Sequence, residues 1–278
     1  MDFLRTLFPQ GTGSAAAEPS LPAGYRVYAV GDIHGRLDLL NDTLSRIEAD
    51  IDGRRPAQNI IVFLGDLIDR GPASADVVER LRTYYRDGLR TVFLTGNHEE
   101  VLLRLIRGES RYLRDWLSFG GAECAKSYGI SSTALKQMDA EQAVAHLRQK
   151  IPDSHQRFLQ GFVDTFQIGA YVFVHAGVRP GVPLSEQTQA DLRWIRRPFL
   201  DNDADHGFIV VHGHTISGEV DVRTNRVGID TGAYRTGVLT AMGLEGEERW
   251  FLQTGPGRVA EPPMSIEPAM VANTNVGR

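Results

Sequence analysis

Cysteine is almost missing from this chain: Cys124 is the only one among 278 residues. A single thiol can form neither an internal disulfide nor a cysteine metal framework, so a reducing compartment, the cytoplasm, is the expected location. Its surroundings, AECAKSYG, read as amphipathic helix rather than an activated loop, which argues against a catalytic thiol. Long apolar runs are missing too. Ile60 to Leu64 and Ala170 to Val174 are strand-sized, far below the roughly 20 residues of a membrane span. The start, MDFLRTLFPQ, has no basic region followed by an apolar core, so it makes a poor signal peptide. Phe3, Leu4, Leu7 and Phe8 are read instead as a frayed or locally docked end. Basic charge is in deficit, with 30 Lys and Arg against 35 Asp and Glu. The one basic run, Arg193, Arg196 and Arg197, is too short for general polyanion binding. Nucleic acid is therefore not expected as the main partner, and any phosphate contact should be local.

What remains is ordinary globular composition, 42% hydrophobic and 23% charged, with ample length for a buried core. Residues 10 to 23 are small, polar and proline-containing, so residues 1–23 are expected to be a flexible segment. The text after Leu252 has no period and many breakers, and residues 255–278 are expected to be a disordered tail. Between them strands and helices alternate. Arg26 to Val30, Ile60 to Leu64 and Thr91 to Leu94 read as strands. Helices are expected over Leu37 to Ile51, Ser74 to about Asp87 and Glu99 to Ile106. This order implies parallel strands covered by helices. Residues of about 108–167 read as a mostly helical insertion. Six further strands come after it, at Ala170 to Val174, Phe208 to Val211, Glu219 to Val222, Val227 to Ile229, Val238 to Met242 and Glu248 to Leu252. The expected fold is α/β, with residues 24–254 forming one catalytic domain.

The residues suited to chemistry cluster at the strand ends. The first strand ends in Gly31-Asp32-Ile33-His34-Gly35, the second in Gly65-Asp66-Leu67-Ile68-Asp69-Arg70-Gly71, the third in Gly96-Asn97-His98-Glu99. Two later strands end in His175-Ala176-Gly177 and His212-Gly213-His214-Thr215. Ligands of open α/β sheets gather at the carboxyl ends of strands. Asp, His and Asn are oxygen and nitrogen donors suited to manganese, iron, zinc or magnesium. Asp32 and His34 can face one ion, Asp66 can bridge two through its two oxygens, and Asn97, His175 and His214 would complete the second. A pair of ions suits phosphoryl chemistry. Singly, each segment has an ordinary explanation as a turn or helix start. Unrelated turns do not supply a complete two-metal donor set in consistent strand-end positions. His146, His155 and His206 lie in polar text and read as ordinary residues. His212 stays open, with a supporting or a phosphate contact both compatible.

Taken together, GDIHGR, GDLIDRGP, GNHE, HAG and HGHT resemble the phosphoprotein phosphatase group of the calcineurin-like metallophosphoesterases, over about Tyr25 to Leu252. The resemblance implies an α/β/β/α sandwich and two divalent ions, with manganese as the expected metal. It implies Asp32, His34 and Asp66 at the first ion, and Asp66, Asn97, His175 and His214 at the second. It casts His98 as general acid oriented by Asp69, and Arg70 with Arg196 as phosphate clamps, Arg196 by its place in Trp194-Ile195-Arg196. The implied reaction is direct attack of a metal-bridged hydroxide without a phosphoenzyme. Ile216 stands where nucleases of the wider superfamily carry a further histidine. Thr95 stands where family protein phosphatases usually carry arginine, a departure that weakens the analogy with eukaryotic-like members. The expectation is a bacterial serine/threonine-type protein phosphatase acting on a phosphorylated protein or small phosphoester. A symmetrical bis(5′-nucleosyl)-tetraphosphatase is the alternative, and a catalytically silent binding module the third reading.

Overall fold

In the computed structural model, residues 18–255 are described; the expectations for residues 1–17 and 256–278 lie outside that range. The alternating strands and helices build two five-stranded sheets. The first contains β1 (Tyr25–Val30), β2 (Gln58–Phe63), β3 (Leu89–Phe93), β9 (Thr240–Glu245) and β10 (Glu248–Gln253), in the order β10-β9-β1-β2-β3. The second contains β4 (Thr165–Ile168), β5 (Tyr171–Val174), β6 (Ile209–His212), β7 (Asp221–Val222) and β8 (Arg226–Gly228), in the order β4-β5-β6-β8-β7. Each sheet has three parallel strands, β1-β2-β3 and β5-β6-β8, flanked by antiparallel neighbours.

The period-two alternation of strand side chains sets the layers. In β1, Val27 and Ala29 enter the apolar layer between the sheets, with Val62 and Leu64 opposite Phe173, Val211 and Val227. Tyr28 and Val30 face the other way, onto α1 (Leu37–Gly53), α2 (Ser74–Arg82) and α3 (Asn97–Ile106). α1 docks through Leu40, Leu44 and Ile47, which the 3.6-residue period places on one face. On the far side, Val172, Val174 and Val210 pack against Leu192 of α9 (Gln189–Trp194) and against Phe199. The result is the expected mixed α/β sandwich, with a thin outer layer over the second sheet.

Three sequence expectations change. α2 ends at Arg82 rather than near Asp87, because Thr83 leaves helical geometry and the chain turns through Gly88 at φ 69°. The insertion is mostly helical as expected, through α4 (Leu113–Trp116), α5 (Ala122–Ser127), α6 (Ser132–Gln137), α7 (Ala140–Lys150) and α8 (Asp153–Gln160) with further helical turns at Ser110–Tyr112 and Leu117–Gly121, but not to its end. Its last residues form β4, whose pairing with β5 is a long-range property that local pattern does not carry. The flexible segment expected up to residue 23 does not include residues 18–23: Leu21 is buried and its amide donates to Gly246 O at 2.8 Å. Ser20 O accepts from Ala170 N at 3.0 Å, so these residues tie the β9–β10 turn to the second sheet.

Candidate active site

The parallel strands of both sheets end at one place, and their terminal residues meet there. Asp66 occupies the centre. Its Oδ2 lies 3.6 Å from His34 Nε2 and 3.9 Å from His98 Nε2, and its Oδ1 lies 3.5 Å from His175 Nε2. Two compact donor groups share it, His34-Asp66-His98 and Asp66-His175-His214, all buried. Asn97 Oδ1 lies 3.0 Å from His175 Nε2. Asp32 stands outside both groups, its carboxylate accepting from His214 N at 3.0 Å. Gly96 and Gly213 are required there: a methyl group on either would overlap Asp66 Oδ1 or Asp32 Oδ1.

The backbone is bent to make this convergence. Among the described residues, the non-glycine positions with positive φ are His34, Asp66, Asp69, Arg70 and His214. Each such conformation costs roughly 1–3 kcal/mol and persists only where the surroundings enforce it. All five belong to the site read from the sequence.

The donors suit metal ions. His34 Nδ1 donates to Ile68 O and His175 Nδ1 to Leu64 O, both at 2.8 Å, which leaves each Nε2 lone pair turned toward Asp66. Nε2 of His34 and of His214 are buried with no hydrogen-bond partner among the described residues. Burial pushes the His34 imidazole down to about 3 and His214 to about 2, so both are neutral at ordinary pH and their lone pairs could serve a metal. Burial drives Asp32 well above the usual carboxylate range, helped by the adjacent Asp230 and Asp66. Burial likewise raises Asp230 to about 6. An anionic, dehydrated cluster of this kind is neutralised by cations.

His98 is built differently. Its Nδ1 meets Asp69 Oδ2 at 2.6 Å, a carboxylate rather than a backbone carbonyl, and its Nε2 lies 3.1 Å from Arg70 Nη2. Burial works against charging this imidazole, but Asp66 and Asp69 outweigh it and lift it to about 9. Asp69 is fixed in turn by Trp116 Nε1, 3.0 Å from its Oδ2. The insertion therefore holds this pair, and Gly120 O accepts from Arg70 N at 3.0 Å. Arg196 is exposed, and its charge helps to hold down the imidazoles of His175 and His214.

The lift of His98 has a consequence in metal-free protein. Its folded pKa, about 9, exceeds the ordinary value of 6.5, so its stabilising contribution is complete below 6.5 and is lost as pH rises through 9. Thermal melts of chelator-treated protein should show Tm falling from pH 7.5 to 9. The His98→Asn variant should lack that part of the fall; identical slopes would remove the Asp66–His98–Asp69 coupling.

Some functional residues escape sequence reading. Glu99 stands in the GNHE segment without an assigned role, yet its carboxylate accepts from the amides of Asp66, Leu67 and Gly96 at 2.8–3.0 Å and shapes the Asp66 turn. Asp230 comes two residues after β8, in Ile229-Asp230-Thr231-Gly232, a strand-end position like the other five. Trp116 has no local signal at all. Tyr234 packs edge-on against His34 and lies under the Arg70 guanidinium at 4.9 Å. Arg193, first of the short basic run, is mostly buried and pairs with Asp164 at 2.6 Å and Glu100 at 3.3 Å. His155 is structural, bonded to Tyr128 and Glu79. Burial pushes the Cys124 thiol up, as a packing residue requires.

Two sheets whose strand ends bring one aspartate between two histidine groups match a metallophosphoesterase architecture. Residues 25–238 match the calcineurin-like phosphoesterase family, and the chain belongs to it. Over 155 residues it is 27% identical to the symmetrical bis(5′-nucleosyl)-tetraphosphatase of Aromatoleum aromaticum, covering 56% of this chain and 45% of that protein. Over 233 residues it is 26% identical to the asymmetrical bis(5′-nucleosyl)-tetraphosphatase PrpE of Anoxybacillus flavithermus, covering 77% of this chain and 88% of the relative. The chain thus spans less than half the length of the first of these. Among solved structures, a candidate diadenosine tetraphosphatase superposes with TM-score 0.58 at 22% identity, covering 85% of this chain and 100% of the other. A cold-active protein tyrosine phosphatase gives TM-score 0.53 at 16% identity, covering 90% and 88%. Both likenesses concern the fold. No helix among the described residues is long and apolar enough to cross a membrane.

Proposed function

We propose that the protein is a dinuclear-metal phosphoesterase whose substrate is a dinucleoside polyphosphate, hydrolysed by direct attack of water on phosphorus. The observation that carries the chemistry is Asp66, shared between two buried histidine groups beside the His98–Asp69 pair. In this reading Asp32, His34 and Asp66 hold one divalent ion, and Asp66, Asn97, His175 and His214 hold the other. Such a pair of ions supplies Lewis acidity, which activates water and neutralises charge developing on phosphorus. Manganese is the proposed metal, because oxygen and imidazole donors without thiolate suit it.

His98 belongs to the compact group with His34 and Asp66, but its Nε2 faces the Arg70 guanidinium at 3.1 Å, a poor position for a cation. It serves instead as the acid. Arg70 grips a phosphoryl oxygen through its planar fork, and with the guanidinium engaged there instead of on His98, Nε2 of the charged ring is free to pass its proton to the leaving oxygen. Asp69 keeps the ring oriented and charged, and Trp116 keeps Asp69 in place. Arg196, exposed near His175 and His214, provides the second clamp.

The substrate assignment rests on the relatives' names and on Thr95, and it replaces the phosphoprotein expectation. The test compares kcat/KM on diadenosine tetraphosphate with that on a phosphoserine/phosphothreonine peptide, in one manganese buffer. At least tenfold preference for the dinucleotide is expected. Preference for the peptide would restore the protein phosphatase reading.

A further inference from the structure

Three Phe, Tyr or Trp rings stand exposed among the described residues: Tyr85, Phe119 and Trp194. Taken singly, an exposed apolar side chain is ordinary. The placement of these is not, because two of the three adjoin the two arginines proposed as phosphate clamps. Tyr85 does not: it comes just before β3, at the amino end of that strand, whereas the donor groups gather at the carboxyl ends.

Phe119 is 67% exposed and stands in the turn between α4 and α5. There the backbone leaves helical geometry, at Phe119 (φ −100°, ψ 20°) and Gly120 (φ 109°). Gly120 lies directly against Arg70. Its carbonyl accepts from Arg70 N at 3.0 Å, and a methyl group on it would come 2.6 Å from Arg70 Cγ. A methyl group on the next residue, Gly121, would overlap the Trp116 ring. The turn is thus wedged between Arg70 and Trp116, which holds Phe119 beside the clamp while its ring stays in solvent. Trp194, 42% exposed, comes two residues before Arg196, and its Nε1 donates to Glu100 Oε2 at 3.0 Å. Glu100 lies in the first turn of α3, two residues after His98. The indole is therefore tied to the helix start that carries the proposed acid.

The two arginines belong to different donor groups. Arg70 Nη2 lies 3.1 Å from His98 Nε2, beside the first group, while the charge of Arg196 acts on His175 and His214 of the second. An exposed ring thus accompanies each clamp, Phe119 the first and Trp194 the second. The matching substrate has phosphates in the middle and a planar aromatic group at each end. Nucleobases stack on aromatic side chains whatever their identity, since every base has a π face. A phosphoserine or phosphothreonine segment carries no ring at a set distance from its phosphate. We infer that Phe119 and Trp194 are the stacking residues for the two bases of a dinucleoside polyphosphate, one beside each clamp. This rests on the substrate reading proposed above and adds the residues that select that substrate.

The test uses the manganese-loaded full chain and one ratio: kcat/KM on diadenosine tetraphosphate over kcat/KM on a phosphoserine/phosphothreonine peptide free of aromatic residues. Phe119→Leu keeps apolar bulk and removes the π face. It should lower the ratio about tenfold, with the loss in KM rather than in kcat, and Phe119→Trp should restore it. Trp194→Leu should lower the ratio similarly. Trp194→Phe, which keeps a ring and loses the bond to Glu100, should hold it within about threefold of the parent. A parent that prefers the peptide would overturn the substrate reading and this inference with it. A parent that prefers the dinucleotide, with leucine variants that keep its ratio, would overturn the inference alone. A fall confined to kcat would place the effect on Arg70 or His98 and overturn the stacking role. Equal losses in Trp194→Phe and Trp194→Leu would make the indole a prop for Glu100 and overturn its half.

Discussion

His98→Asn is expected to lower turnover on a phosphomonoester by about 10²–10⁴-fold, the usual worth of a positioned general acid. Two ions should remain bound, because Nε2 of His98 faces Arg70 and not an open cation position. Metal content measured by elemental analysis on the purified variant checks this directly, and loss of an ion would make His98 a ligand. The deficit should also depend on the leaving group. An alkoxide needs the proton badly, whereas a phosphate leaving an anhydride is already a stable anion and needs it less. The variant should therefore be impaired more on an alkyl phosphate than on a dinucleoside polyphosphate. Equal impairment on both would point to positioning through Arg70 rather than to proton transfer.

Asp66→Asn should produce the larger loss, since it acts on both donor groups at once. Asp66 Oδ2 faces His34 and its Oδ1 faces His175, so the two groups have this carboxylate in common. Removing one charge and one strong donor oxygen should weaken both ions, by more than the about 10–100-fold typical of losing an outer-shell partner. Stoichiometry should fall below two at metal concentrations that saturate the parent, and turnover should fall with it. The fold has reason to survive. The amide oxygen can still accept from His98 N, the bond Asp66 Oδ1 now makes at 3.1 Å, and Glu99 still holds the Asp66 turn through its amides. Unchanged stoichiometry in a folded variant would end the bridging role.

Most of the donor set is legible in the sequence because metal chemistry restricts residue type, and strand ends restrict position. Asp32, His34, Asp66, Asn97, His175 and His214 each come after an apolar run that can hardly be anything but a buried strand. The His98–Asp69 pair is readable only through the family resemblance, since 29 positions separate the two in the chain. Trp116, which fixes Asp69, is unreadable: nothing in LRDW marks a tryptophan aimed at a carboxylate 47 positions earlier. Asp230 gains its role only from the structure, although it repeats the strand-end pattern. It supplies no member of either compact donor group and acts on Asp32 instead.

The sequence by itself determined the class of chemistry and the layered α/β fold, because hydrophobic period and donor type are local properties written residue by residue. The lack of thiols and of basic runs narrowed the metals and partners in the same local way. Tertiary structure alone decided how the donors meet. The left-handed backbone at His34, Asp66, Asp69, Arg70 and His214 is unfavourable for each residue taken alone. It is held by contacts distant in sequence: Glu99 on the Asp66 turn, Trp116 on Asp69 and Asp32 on His214. The same holds for the docking of Leu21 and for the packing of Gly120 against Arg70, where segments far apart in the chain meet.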